Sequence, residues 1–425
     1  MGRSVLELWL LWSVVMRVMI ALPIAYSASS TSSQEALLVS RIAFGSCANQ
    51  SAPQPIWNAI IDFDPQIFIW LGDNIYGDVR RPFKLFGKER TIGPWKNVPR
   101  FIPSSEREMQ SRYKKTKTNP GYSRLLENTK VIGTWDDHDY GLNDAGKEFN
   151  GKITSQRLLL DFLDEPQDSP RRKQAGVYTS YTFGPVDRQI KVILLDTRYH
   201  RDPLFSDGSI LGSSQWTWLE SELKGPASAL TIIGSSIQRD GVFFISGDVH
   251  FGEITRYDCA TGYPLFDITA SGITQAVEKA VPPPLNFIVR FVAWLAPTTM
   301  RVMGQHCRRK SCTYGQPNFG AIEIDWDATP VTVKMEVRDV NGFPVLSVNT
   351  SLLELQAQSV GALYSIKPGE YRKHCSLEVT LPWIVRHRLA ILFFCALAML
   401  LLTLAGLTFT AISVIRRCLC KDKLD

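Results

Sequence analysis

Four apolar runs in this chain end in carboxylates, and two of those ends carry an imidazole as well. Residues 67–71, Ile-Phe-Ile-Trp-Leu, run into Gly72-Asp73-Asn74-Ile75-Tyr76-Gly77-Asp78. Residues 130–135 run into Asp136-Asp137-His138-Asp139, residues 189–195 into Asp196-Thr197-Arg198, and residues 241–246 into Gly247-Asp248-Val249-His250. A fifth run, 39–44, ends in Gly45-Ser46-Cys47. Gly, Asp and Asn are ordinary turn residues, so one such end would mean only a turn. Five ends that deliver Cys, Asp, Asp/His, Asp/Arg and Asp/His call for another cause. Hard oxygen ligands, imidazoles and a thiolate that converge suit a multinuclear metal site.

The elements that must position these groups follow from the same runs. A short apolar run bounded by turn signals reads as a strand buried on both faces. Helices are expected over residues 53–62, 107–117, 155–163 and 213–223, the last opened by a Ser-rich cap. Alternation of strand and helix argues for parallel crossover units, with ligands at the carboxyl ends of the strands. After His250 strands are expected at 255–257 and 265–269, and an apolar helix at 285–295. Residues 319–326 and 331–339 read as a hairpin that completes a second sheet. Residues 80–120 form a basic, Pro-broken insertion placed to line a substrate mouth.

One link is too short. Residues 229–238 and 241–246 both read as strands, yet only Arg239-Asp240 separates Gln238 from Gly241. A parallel crossover needs about a dozen residues. Either the two strands are not both parallel members of the sheet, or a crossover segment is missing after Gln238; the second reading is favoured. Loss of that layer is expected to uncover Ile232 and Phe243.

The chain has 425 residues, 45% of them apolar, and a net charge of +6. The charge lies in short clusters, Arg171-Arg172-Lys173, Arg308-Arg309-Lys310 and Arg416-Arg417, and no long basic stripe marks a nucleic-acid partner. Residues 1–27 have the form of a secretory signal, with an uncleaved anchor as the alternative. Residues 389–415 are an uncharged apolar stretch long enough to cross a bilayer. Together these predict a single-pass type I membrane protein of the secretory pathway: domain 39–345, stem 350–388, transmembrane helix 389–415 and cytoplasmic tail 416–425. Lys421 and Lys423 resemble a dilysine signal for return to the endoplasmic reticulum, and Cys418 and Cys420 suit palmitoylation. Asn49 and Asn349 head glycosylation sequons, the first too close to the site for use. Cys47, Cys259, Cys307, Cys312 and Cys375 would face an oxidising lumen; five is odd, and Cys47 is the one expected to ligate metal. Cys307 and Cys312 are near enough in sequence to bridge locally.

Phe44-Gly45-Ser46-Cys47, Gly72-Asp73-Asn74-Ile75-Tyr76, Trp135-Asp136-Asp137-His138, Leu195-Asp196-Thr197-Arg198 and Gly247-Asp248-Val249-His250 together resemble the alkaline phosphatase D (PhoD-like) family. That family belongs to the calcineurin-like metallophosphoesterases. The resemblance implies an α/β fold of two packed mixed β-sheets flanked by helices. It implies hydrolysis of phosphate mono- or diesters by a metal-bound hydroxide, with two or more metal ions, iron beside calcium or another divalent ion. By resemblance, Cys47, Asp73 and Tyr76 hold the iron-like ion; Asp73 bridges to a second ion held by Asp137 and His250, with Asp248 completing the set. His138 stands beside the phosphate and Arg198 clamps it. Asn74, Asp136, Asp139 and Asp196 orient these residues from behind. The competing reading is a membrane protein that keeps the site but, lacking the crossover, has impaired catalysis.

Overall fold

A computed structural model describes residues 38–82, 84–85, 88–89, 99–203, 208–235, 243–257, 264–280, 313–355, 384 and 387–421. The expected signal at 1–27, the apolar helix at 285–295, Cys259, Cys307, Cys312, Cys375 and Lys423 lie outside them.

The apolar runs become two six-stranded mixed sheets. In the first, β1 (Arg41–Gly45), β2 (Ile67–Leu71) and β7 (Lys130–Thr134) are parallel neighbours. Three antiparallel strands, β14 (Asn318–Asp325), β15 (Thr332–Asp339) and β16 (Pro344–Ser351), continue the sheet beyond β1. The second sheet orders β12 (Gly252–Tyr257), β13 (Leu265–Ala270), β11 (Phe244–Ser246), β10 (Leu230–Ser235), β9 (Ile190–Leu194) and β8 (Thr179–Phe183). Its four central strands, β13, β11, β10 and β9, are parallel.

Alternation along each strand sends one face inward and one outward. Ile42, Phe44, Ile69 and Leu71 from the first sheet meet Val192, Leu194, Ile232, Ile245 and Ile268 from the second in one buried core. The outer face of the first sheet turns Ala43, Phe68 and Trp70 toward three helices: α1 (Ile56–Asp62), α3 (Pro120–Asn128) and α5 (Lys152–Phe162). Trp57, Phe68, Trp70, Tyr122 and Phe162 pack there, the Trp57 and Trp70 rings 5.5 Å apart and edge to face. The helix α2 (Glu106–Lys117) opens with a full capping box between Ser105 and Glu108, and the single turn α4 (Asp137–Tyr140) follows β7. Over the second sheet, α6 (Gly212–Lys224) covers Ile193 and Ile233 through Leu219.

Several expectations need correction. The hairpin of β14 and β15 extends the first sheet, because β14 pairs with β1 and not with a strand of the second. The sheet also runs through β16 to Ser351, so the folded unit outlasts the expected boundary at 345 and takes in the first residues assigned to the stem. Helix α6 starts without a serine side-chain cap; Leu211 holds the capping position. The insertion holds two antiparallel pairs, β3 (Asp78–Pro82) with β6 (Pro99–Pro103) and β4 (Lys84–Leu85) with β5 (Lys88–Glu89).

At the short link the pairing agrees with the favoured reading, and the facing of the side chains needs correction. β10 and β11 are parallel neighbours, Ile233 opposite Phe244, so both belong to the parallel set. Ile232 and Phe243 are not uncovered: both point into the core between the sheets, 0% and 4% exposed. The outward positions are Ile233, buried under α6, and Phe244, half-buried beside it. The period-2 rule, applied one residue out of phase, had assigned the wrong face.

Among the described residues one helix, α7 (Arg388–Lys421), is long and apolar enough to cross a membrane: Ala390–Ile412 has a mean hydropathy of 2.6 and none of it is buried.

Candidate metal centre

Six strands of the two sheets end at one place. Cys47 follows β1, Asp73 follows β2, Asp136 and Asp137 follow β7, Asp196 and Arg198 follow β9, Asp248 follows β11 and Ser271 follows β13. The loops carrying them are held in unusual shapes. Cys47, Asp73, Asp248 and His250 all have left-handed backbone, with φ of 60°, 51°, 70° and 61°. Non-glycine residues there cost about 1–3 kcal/mol each, and such strain collects at functional sites. Gly72 has φ of 96°, and a Cβ on it would lie 2.4 Å from the Asp136 Cβ, so only glycine lets the β2 and β7 ends approach this closely.

Two groups of ligand atoms result. Cys47, Asp73 and His250 present theirs within 4.8 Å of one another, and so do Asp73, Asp137 and His138. Asp73 belongs to both. Tyr76 joins the first group, its Oη 3.4 Å from His250 Nε2. His250 therefore stands with Cys47, whereas the resemblance had placed it with Asp137. Asp248 follows the same strand end and lies close enough to Asp73, Asp137 and Arg198 to be felt by all three.

The surrounding residues fix these groups. Asp137 Oδ2 accepts from the Asp144 amide at 2.7 Å. Asp139 accepts from the Ile75 and Asp136 amides at 3.0 and 2.9 Å, tying the β2 loop to the β7 loop. Asn74 donates to the Thr134 carbonyl at 3.1 Å. Asp196 accepts from Trp135 Nε1, from the Arg198 and Tyr199 amides and from Val177, so its carboxylate shapes the β9 loop. All four expected orienting residues, counting Asp136, face inward and are buried.

Arg198, expected as a phosphate clamp, pairs closely with Asp136. It is 1% exposed, and its Nε and Nη2 both reach Asp136 Oδ1 at 2.5 Å, with Asp137 Oδ2 3.9 Å away. The third nitrogen, Nη1, is buried without a hydrogen-bond partner. Two residues escaped the sequence reading. Asp78 is buried, and its Oδ1 lies 2.8 Å from His138 Nδ1, which leaves Nε2 for the site; Tyr76 and Phe101 flank the ring at 4.3 and 5.3 Å. The signal was present in the same loop, five positions after Asp73. Ser271 sits at the end of a sixth strand and touches both Cys47 and His250.

The electrostatics of such a cluster of acids follow from its burial. Burial pushes Asp73 up to about 7, with Asp137 and Asp248 adding to the push against His138 and Arg198. Burial likewise pushes up the Cys47 thiol, reinforced by Asp73, and the Tyr76 phenol, reinforced by Cys47. Asp248 is raised by burial and then by Asp137. Burial opposes the charge on His138, but Asp73 and Asp78 outweigh it and push the imidazole up to about 10. His250 is lowered by burial. The buried Asp73 Oδ1 has no hydrogen-bond partner. Thiol, phenol, carboxylates and imidazole around an oxygen with no donor are the donor set that cations would complete.

Protons and cations compete here, and this predicts a pH dependence. Asp73, raised from 3.8 to about 7, contributes stability that is complete below its unfolded value and lost as pH rises through about 7. His138, raised from 6.5 to about 10, loses its contribution over a higher window in the same direction. Chelator-treated protein should therefore melt at a lower temperature at about pH 8 than at about pH 6, and added divalent ions should shrink the difference. Scanning fluorimetry at the two pH values checks this; a flat or reversed dependence in the chelated protein contradicts it.

Comparisons with known proteins bear on the family and the fold. The PhoD-like phosphatase family matches residues 42–265, more than half of the chain. Those residues contain Cys47, Asp73, Tyr76, Asp137, His138, Asp248 and His250, though not Ser271. A search of curated proteins finds no match. Among solved structures the fold is similar to that of PhoD, with a TM-score of 0.51 at 12% identity over 74% of this chain and 69% of that one. It is also similar to GAP50, the anchor in the inner membrane complex of Plasmodium, with a TM-score of 0.44 at 11% identity over 80% of this chain and 96% of that one. On its motifs, its two-sheet fold and the extent of the match, the chain belongs to the PhoD-like phosphatase family.

Proposed function

We propose that this chain is a membrane-anchored hydrolase of phosphate mono- or diesters that works with two metal ions. The observation that carries the reading is Asp73, whose carboxylate is shared by the two ligand groups. Cys47, Asp73, Tyr76 and His250 would hold one ion, and the thiolate and phenolate suit iron there. Asp73, Asp137 and Asp248 would hold the other, a set suited to calcium or another hard divalent ion. When bound, such a pair supplies positive charge that polarises the phosphoryl group and activates the attacking water.

The protein's own groups do the rest. His138, fixed through Nδ1 by Asp78, presents Nε2 to the site and gives a proton to the departing alkoxide. Arg198 neutralises Asp136 from beneath and holds Asp137 in place. Helix α7 anchors the chain: the 23 residues Ala390–Ile412 span roughly 35 Å as a helix, enough for a hydrocarbon core of about 30 Å. With a signal at 1–27 the folded unit would face the lumen of the secretory pathway, and Lys421 and Lys423 would retain it in the endoplasmic reticulum. Asn349, exposed on β16, would then carry a glycan.

The experiment uses the full chain in washed membranes. Alkaline carbonate should leave it in the pellet, and after detergent extraction it should contain iron and a second metal. It should hydrolyse p-nitrophenyl phosphate or its bis ester, and chelation should remove that activity. Release by carbonate would remove the anchor; metal without turnover of either ester would favour the impaired reading. That reading has one observation behind it: β10 and β11 are parallel neighbours joined by residues 236–243 alone, fewer than a crossover of about a dozen.

A further inference from the structure

The end of β13 brings one polar side chain into the metal centre for which the ligand assignment has no use. Ser271 is fully buried, and its hydroxyl meets two of the assigned ligand residues at once. The Oγ accepts a hydrogen bond from the His250 amide at 2.9 Å and lies 3.3 Å from Cys47 Sγ. A serine hydroxyl has one proton and two lone pairs. Since the oxygen accepts from His250, its proton is free to be donated to the sulfur. The sulfur is also approached by Asp73 Oδ2 at 3.5 Å, by the Asp248 carbonyl at 3.8 Å, and by the Ser46 hydroxyl and the Tyr76 phenol. A carbonyl has no proton to give, and with a cation bound the Asp73 carboxylate and the Tyr76 phenolate would have none either, so the serine hydroxyls are the donors.

The main chain around Ser271 fastens the same two loops. Its own amide donates to the Phe251 carbonyl at 3.2 Å, just beyond His250. Ile273 and Thr274 donate to the Ser46 and Cys47 carbonyls, each at 3.2 Å. These are the loops in which Cys47 and His250 hold left-handed backbone, φ 60° and 61°, which persists only where neighbours over-determine it. The β13 end thus ties the Cys47 loop of the first sheet to the His250 loop of the second.

We propose that Ser271 is a positioning residue of the metal centre: its hydroxyl donates to the Cys47 sulfur and its oxygen holds the His250 main chain, so that thiolate and imidazole face one cation. The hydrogen bond also sets how strongly the sulfur donates to that cation. This rests on the two-metal reading above, and partners of this kind typically change metal affinity by about 10–100-fold when removed.

Cobalt(II) alone is the probe, added to the detergent-extracted full chain after chelation. In the wild type, titration should produce a near-ultraviolet thiolate-to-cobalt charge-transfer band that Cys47→Ser lacks. If the wild type has no such band, the assignment of Cys47 as a ligand fails, independently of Ser271. If the band is present, Ser271→Ala should move it to longer wavelength, because a sulfur that has lost a donor is easier to oxidise. The same variant should weaken cobalt binding by about 10–100-fold, while Ser271→Thr should restore both. An unchanged band and affinity in Ser271→Ala overturn the proposal. If Ser271→Ala does not accumulate as folded protein, Ser271→Thr and Ser271→Val make the same comparison, since they differ in the hydroxyl and hardly in shape. A shift or loss in the valine variant alone supports the proposal. Equal behaviour of the two, including equal failure to fold, assigns the effect to the space and overturns it.

Discussion

Asp73→Asn should abolish activity while leaving the fold in place. The side chain keeps its size and hydrogen-bonding reach but loses the charge that two ligand groups share. Turnover of either p-nitrophenyl ester should fall by at least about 100-fold, the upper end of what loss of an outer partner causes, because a ligand to both ions is removed. Metal content should fall for both ions together. The substitution should not harm the metal-free protein, since the buried carboxyl already holds its proton up to about pH 7. Elemental analysis and melting curves of wild type and variant separate the two effects. Full content of either metal with normal turnover would refute the shared-ligand assignment.

Asp136→Ala should produce the largest loss of stability of any single change in the site. Its carboxylate is the close partner of the Arg198 guanidinium, and the two side chains are 1% and 2% exposed. Burial alone would weaken the charge on Arg198, but Asp136, then Asp137 and Asp248, hold it. Removing one member of a buried pair leaves the other charge uncompensated, at about 3–5 kcal/mol. For a domain of this size that corresponds to a fall in Tm of roughly 10 °C. The double variant Asp136→Leu/Arg198→Met should recover much of the loss, because a buried pair replaced by apolar groups of similar volume is often close to neutral. Its phosphatase activity should stay low, since Asp137 then lacks the cation 3.9 Å from its Oδ2. A single variant as stable as the wild type would mean that solvent reaches Arg198, and the buried-pair account would fall.

How far the sequence alone reached can be traced on particular residues. The strands β1, β2, β7, β9 and β10 lie close to where their apolar runs predict them, because a run buried on both faces leaves one local solution. Cys47, Asp73, Asp137, His138, Asp248 and His250 were visible for the same reason: each follows such a run directly, and parallel strands gather their carboxyl ends on one edge. Helix α7 needed only length and hydropathy.

What the sequence left undecided depends on contacts between segments far apart in the chain. Whether the 318–339 hairpin joins one sheet or the other turns on β14 pairing with β1, a contact across nearly the whole domain. The facing of Ile232 and Phe243 depends on register, and one residue of slip inverts it. The grouping of His250 with Cys47, the pairing of Arg198 with Asp136, and the roles of Asp78 and Ser271 are all distances between loops. A residue's type and its place after a strand determine that it can be a ligand. Only the packing of the two sheets, which brings the β1 and β2 ends against the β11 and β13 ends, decides which groups lie close enough to share a cation and which lie behind them.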